Sequence, residues 1–313
     1  MREVYIVSAT RTPVGKAPGG RMKTVRPDDL AAIVLREVLR RAPGVDPALV
    51  EDVILGCAMP EGPQGMNIAR IAIQRAGLPE TLPGVTVNRF CASGLEAVAI
   101  GAQRILSGAA ELVIAGGTES MSQVPMGGFK LSPNPCLVDE LPDAYLAMGL
   151  TAENVSHKFG VSRADQDAFA LQSHTRALAA QEAGRFREEI VPVPVREVSL
   201  DDQGKRQVRE SVCDSDEGPR RDTSAEKLAA LKPAFNPKGT VTAGNASQRS
   251  DGAAALLLAS GETVQRLQQG EAPFAAANPW VYGVRSGSAV LPRDAAFDQG
   301  EHAEAERFVL PRR

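Results

Sequence analysis

Val85-Thr-Val-Asn-Arg-Phe-Cys-Ala-Ser-Gly-Leu95 is the stretch whose reading decides the fold. A β-branched run ends at Asn88, a short turn follows, and from Ser93 the apolar residues Leu95, Val98, Ala102 and Ile105 recur at helical spacing until Gly108 stops them. A strand that feeds a helix so directly is one unit of an alternating fold, and its neighbours repeat the pattern. Residues 4–7, 53–55 and 112–115 are further short apolar runs bounded by Gly, Pro or Asn. Between them, an amphipathic stretch starts at Asp28 and Asp29 with Leu30, Ile33, Val34 and Val38 on one side, and another spans residues 67–76 before Gly77. The order βαβαβαβ predicts an α/β protein with a parallel sheet and right-handed crossovers.

Composition agrees with buried strands. Hydrophobic residues make up 43% of the 313 and aromatics only 4%, so Ala, Val, Leu and Ile must fill a core with helices on both faces of the sheet. The net charge of -3 and the scattered basic residues give no field for a phosphate backbone, so nucleic acid is not an expected partner. No segment approaches the roughly 18 apolar residues of a membrane span, and the start leads straight into a strand, which places the expected location in the cytoplasm. Cys57, Cys91, Cys136 and Cys213 form no Cys-x-x-Cys pair, so neither a metal site nor a disulfide framework is expected.

The alternation breaks at about residue 120. From there to 244 the chain is rich in Pro, Gly and charge, with one clear helix at 162–183, capped by Ser162 with Asp165 and ended by Gly184. Residues 253–259 are apolar enough for one more buried strand, so 121–244 reads as an excursion that leaves the sheet and returns to it. Excursions of that length usually carry function.

Cys91 sits where a thiol becomes reactive. The amide groups and dipole of a helix N-terminus favour thiolate over thiol and can hold an oxyanion. A buried structural role is the alternative for any single cysteine, and it is the reading for Cys57. His157, expected just before the 162–183 helix, and His174, within it, read as solvent-facing.

Read as a set, the blocks say more. Asn88-Arg-Phe-Cys-Ala-Ser-Gly-Leu-Glu-Ala97 and Ala115-Gly-Gly-Thr-Glu-Ser-Met-Ser122 closely resemble the acyl-enzyme signature of the thiolase family. Ser8-Ala-Thr-Arg-Thr-Pro-Val-Gly15, Gly56-Cys-Ala-Met-Pro-Glu-Gly62, Met148-Gly-Leu-Thr-Ala-Glu-Asn-Val155 and Thr242-Ala-Gly-Asn-Ala-Ser-Gln248 resemble other thiolase blocks, in family order. The resemblance implies that Cys91 is the nucleophile of an acetyl-CoA C-acyltransferase. It attacks the 3-keto group of a 3-oxoacyl-CoA, acetyl-CoA leaves, and a second coenzyme A collects the shortened acyl chain. It also implies coenzyme A as substrate with no resident cofactor, a role in fatty-acid β-oxidation and a homo-oligomer. Ser247 and Met148 fall at pantetheine-contact positions and Arg220 near the nucleotide end, where Arg221 or Lys227 could serve instead.

The implied division is 1–120 with 245–260 as the N-terminal half, 121–244 as an inserted CoA-binding loop domain, and 261–313 as a tail. The resemblance stops there. The family's Asn-Glu-Ala-Phe, Gly-His-Pro and Cys-x-Gly blocks are absent from this sequence, so the base and most oxyanion donors have no counterpart. The tail, which holds Trp280 and His302, lacks helical or strand period and reads as foreign sequence. Without a covering second half, the helix after Cys91 is expected to expose Leu95, Val98, Ala102 and Ile105. Two alternatives follow: a catalytically inactive truncated or frameshifted thiolase remnant, and a condensing enzyme of the same superfold. The second lacks support, since condensing enzymes do not carry the 115–122 and 242–248 blocks in this form.

Overall fold

The computed structural model describes residues 2–268 and the segments 282–285 and 288–289. The expected alternation is present. Strands β1 (Val4–Arg11), β3 (Asp52–Gly56), β4 (Gly84–Val87) and β5 (Leu112–Ser120) alternate with helices α1 (Pro27–Arg40), α2 (Ile68–Ala76) and α3 (Ser93–Leu106), and a two-residue β2 (Gly15–Lys16) follows β1. Helix ends have local causes. Asn67 caps α2 through its side chain and Gly77 closes it in the left-handed conformation (φ 70°), while Pro27 opens α1 where its missing N–H is not needed.

The excursion leaves after β5. It contains α4 (Pro135–Glu140), α5 (Met148–Phe159), α6 (Arg163–Glu182), the hairpin β6 (Val193–Leu200) with β7 (Arg206–Cys213), and α7 (Ala225–Ala229). It returns as β8 (Ser250–Ser260), followed by α8 (Gly261–Gln268), β9 (Tyr282–Arg285) and β10 (Ser288–Ala289). The sheet order is β10-β9-β1-β8-β5-β3-β4. β3 is parallel to both β4 and β5, but β8 runs antiparallel between β1 and β5. The sheet is therefore mixed, which corrects the all-parallel expectation. β5 delivers the chain at Ser120 to the end of the sheet where the excursion begins, and β8 enters from that same end, with Ser120 opposite Asp251.

Both faces are covered, as the composition demands. Val53, Leu55, Leu112, Ile114 and Leu257 point towards α1 and α2, while the intervening Ile54, Val113, Ala115 and Leu258 point towards α3. The base of the β6–β7 hairpin joins the first core through Val193, Val195 and Cys213.

Three expectations are corrected. The buried stripe of α3 is Ser93, Ala97, Gly101 and Ile105, so Ile105, expected to be exposed, is fully buried and Val98 and Ala102 are half-buried against the same core, while Leu95 is 75% exposed as expected. Small residues face the sheet because the helix lies close to it: a Cβ on Gly101 would come 3.0 Å from Leu258. His157 lies inside α5, a helix the sequence reading missed because none of its residues is buried. The chain from Gly261 opens with a helix whose Val264 and Leu267 join the core. Trp280 and His302 lie outside the described residues.

Candidate active site

Three segments converge on the first turn of α3. Gly56, the last residue of β3, pairs with Gly117 of β5 on one side and Val87 of β4 on the other. A Cβ on Gly56 would reach 2.5 Å from the Gly94 nitrogen, and one on Gly117 would reach 3.5 Å from the Gly94 Cα. The helix end thus rests on bare backbone.

Between β4 and α3 the chain turns through Asn88, Arg89 and Phe90. Phe90 has φ 48°, one of two non-glycine residues with positive φ among the described residues, a conformation that needs outside support. Support comes from two sides. The Asn88 Oδ1 accepts the Phe90 N–H at 2.8 Å, and the Ser93 hydroxyl accepts the Arg89 N–H at 2.7 Å while donating to the Phe90 carbonyl at 2.6 Å. Arg89 also pairs with Glu96 at 3.1 Å. Cys91 emerges from this turn exposed at the N-terminus of α3, where the first helical turn directs amide groups and positive dipole outward. Among the described residues, no side chain hydrogen-bonds to its thiol.

Behind the turn lies the 57–59 loop. The Glu119 carboxylate accepts the Ala58 N–H at 2.6 Å and a hydrogen bond from the fully buried Gln64, whose Oε1 accepts the Ser120 N–H at 3.0 Å. Cys57 is buried there. Desolvation, with the Glu119 charge second, pushes its thiol up to about 12. A thiol bound more tightly to its proton in the folded state contributes stability that is whole below the ordinary value of 9.0 and is lost as pH rises through about 12. Cys57→Ala should therefore lose less stability than wild type between roughly pH 8 and 10.5, read by urea unfolding at both. An identical loss in both proteins would contradict the assignment.

The positions expected to meet coenzyme A fall in the excursion and the loop before β8. Met148, the first residue of α5, is 59% exposed, and beside it Gly149 lies so close to the Phe235 ring that a Cβ would not fit. Ser247 is exposed, its hydroxyl donating to the Gln248 carbonyl at 3.2 Å. Glu153 of α5 accepts the N–H groups of Thr240 and Val241 at 2.9 Å each, so the elements carrying Met148 and Ser247 are tied together. Burial pushes the Glu153 carboxyl up, but those backbone donors and the Thr240 hydroxyl outweigh it and hold the group low.

Arg220 stands apart. Its guanidinium pairs with Asp222 at 3.1 Å, its backbone N–H donates to the His174 Nδ1 at 3.2 Å, and both residues line a cavity of about 270 Å³ beside Arg221 and Glu182. Cys91, Met148 and Ser247 do not line it. Arg221 pairs with Glu182, and the Lys227 Nζ donates to the Asp222 carbonyl at 2.7 Å. Among the described residues, no three His, Cys, Asp or Glu side chains are grouped to hold a metal, and no helix is long and apolar enough to cross a membrane.

Residues 4–262 match the family model described as thiolase, N-terminal domain. The chain belongs to the thiolase family. It is 51% identical over 267 residues to a 3-ketoacyl-CoA thiolase of Bacillus subtilis, an alignment covering 85% of this chain and 68% of that protein. It is 47% identical to a beta-ketoadipyl-CoA thiolase of Pseudomonas aeruginosa, with the same two coverages. The crystal structure of the Bacillus anthracis acetyl-CoA acetyltransferase superposes with a TM-score of 0.72 at 40% identity, over 85% of this chain and 67% of that one. The match spans about two thirds of these thiolases, and the family model ends at residue 262, just past β8.

The thiolase resemblance read from sequence is thereby confirmed, with its mixed α/β fold. Sequence reasoning did not assign roles to Asn88, Gln64, Glu119, Glu153 or Asn245. Four of the five lie inside blocks quoted for the resemblance, which was the signal available.

Proposed function

We propose that this chain carries the acyl-accepting half-site of an acetyl-CoA C-acyltransferase acting on 3-oxoacyl-CoA. The observation that carries it is the exposed Cys91 on a braced, positive-φ turn at the N-terminus of α3. In the forward step the Cys91 thiol gives up its proton as its sulfur bonds to the 3-keto carbon, the C2–C3 bond breaks, and the acetyl-CoA carbanion takes up one proton in exchange. The acyl group then passes from the Cys91 sulfur to the sulfur of a second coenzyme A, whose thiol proton restores the Cys91 thiol. Negative charge on the attacked oxygen would be met by the helix N-terminus.

In this reading the 121–244 excursion is a loop domain that grips coenzyme A, with Met148 and Ser247 along the pantetheine and Arg220 at the nucleotide end. The Met148 and Ser247 assignments are supported by the Glu153 tether. Arg220 holds Asp222 through Nε and Nη2, which leaves its Nη1 group to meet a phosphate. Fatty-acid β-oxidation in the cytoplasm is the proposed setting. A homo-oligomer is supported by the run of exposed apolar side chains Phe129, Leu131, Leu141 and Tyr145.

One observation favours a second reading. With no described base on the Cys91 thiol, this chain would accept an acyl group once without turning over. Intact-mass analysis after incubation with acetyl-CoA, with Cys91→Ser in parallel, tests both. An adduct lost in the variant supports the half-site, and absence of further product separates single acylation from turnover. No adduct on a folded sample overturns the nucleophile assignment.

A further inference from the structure

Asn88 is exposed, yet both ends of its amide hydrogen-bond to backbone, on two separate segments. Its Oδ1 takes the Phe90 N–H at 2.8 Å, and its Nδ2 donates to the Ala58 carbonyl at 3.0 Å. The same residue is held at its other backbone group by the Glu119 carboxylate, which accepts the Ala58 N–H at 2.6 Å. Glu119 lies on β5, in the middle of the sheet order, and is itself held by Gln64, which also donates to the Met59 carbonyl at 2.8 Å. The chain of contacts therefore runs from the sheet through the 57–59 loop and the Asn88 amide to the residue before the nucleophile.

We propose that Asn88 is a positioning residue, holding Cys91 at the N-terminus of α3 by anchoring the Phe90 turn to Ala58 and, through that residue, to Glu119. The proposal rests on the reading of Cys91 as nucleophile only for its consequence; the positioning itself is a property of the turn. A residue with φ 48° stays there only while its neighbours over-determine it. Ser93 supplies one brace within the turn, but Asn88 is the brace that ties the turn to the sheet. Released from it, the turn relaxes and the sulfur leaves the helix end.

The test follows the alkylation rate of Cys91 by iodoacetamide, resolved by peptide mass, with the exposed Cys136 of the same chain as internal reference. In Asn88→Ala the rate at Cys91 is expected to fall about 5-fold or more while Cys136 is unchanged. In Asn88→Ser, whose hydroxyl can accept the N–H two residues on but is one atom shorter than the amide that reaches Ala58, the rate should stay reduced as in Asn88→Ala. A general loss of structure would move Cys136 and thermal melting together with Cys91. Equal Cys91 rates in wild type and Asn88→Ala, or recovery to the wild-type rate in Asn88→Ser, overturn the proposal. The acyl-adduct assay reads the function separately. An adduct with no Asn88 effect sinks positioning alone, and an Asn88 effect on alkylation without any adduct sinks the half-site alone.

Discussion

Gly56→Ala is expected to lower the melting temperature by roughly 10 °C, from about 3 kcal/mol of lost stability, and to remove most of the acylation at Cys91. A single methyl rarely does so much. Here its neighbours are backbone atoms that cannot rotate away: the Gly94 nitrogen at 2.5 Å, and the Ser93 carbonyl group closer still or equal. Gly56 is also fixed laterally by its pairing with Gly117 and Val87, so β3 cannot yield without disturbing the middle of the sheet. What moves is the first turn of α3, and Cys91 moves with it. Gly94→Ala is the matched control. A Cβ on Gly94 would meet no atom within 4 Å, and alanine in a helix is favoured over glycine by up to about 1 kcal/mol. Thermal melts of both variants decide the point. A Gly56→Ala protein that melts with wild type would mean that α3 is seated less tightly than these distances state.

That same close seating explains what the sequence could and could not reveal. Strand and helix order was legible because Gly, Pro and Asn punctuate it, and so was the placement of Cys91 in the turn between a strand and a helix. The facing of α3 was legible only in part. Leu95 is exposed as expected, but Ile105 of the same expected stripe is buried, and the small Ala97 and Gly101, which a helix packed against a sheet at short range turns inward, carry no hydrophobic signal. The direction of β8 was hidden for a different reason. A strand buried on both faces carries no directional mark in its side chains, and only the place where the excursion leaves and re-enters sets it. The Asn88 to Ala58 to Glu119 link was illegible because it joins residues 30 and 61 positions apart that have no shared period.

Asp167→Ala is expected to cost about 3 kcal/mol and to loosen the 240–247 loop well before the sheet. α6 spans twenty residues, and Asp167 is its one buried residue. The helix is therefore held less by an apolar stripe than by this carboxylate. Asp167 accepts the Arg163 Nε at 2.7 Å and the Asn245 Nδ2 at 2.9 Å. Asn245 in turn closes the loop on itself, its Oδ1 taking the Thr242 N–H at 2.7 Å and its Nδ2 donating to the Thr240 carbonyl at 3.1 Å. Without Asp167, Arg163 keeps the Leu228 and Leu231 carbonyls at 2.6 and 3.1 Å, which places the loss at the lower end of the range for breaking a buried pair. Asn245 keeps only its bonds within the loop. Since Glu153 still grips Thr240 and Val241, the start of the loop should hold while the part bearing Ser247 opens. Hydrogen exchange localises the effect: amides of 242–247 should exchange faster in Asp167→Ala, with those of β5 and β8 changing no more than global stability requires. A uniform rise across the sheet would show that Asp167 serves the whole fold. A local rise would make it the fastening of the Ser247 loop, and the same variant should then weaken coenzyme A-dependent acylation of Cys91 while leaving its alkylation by iodoacetamide unchanged.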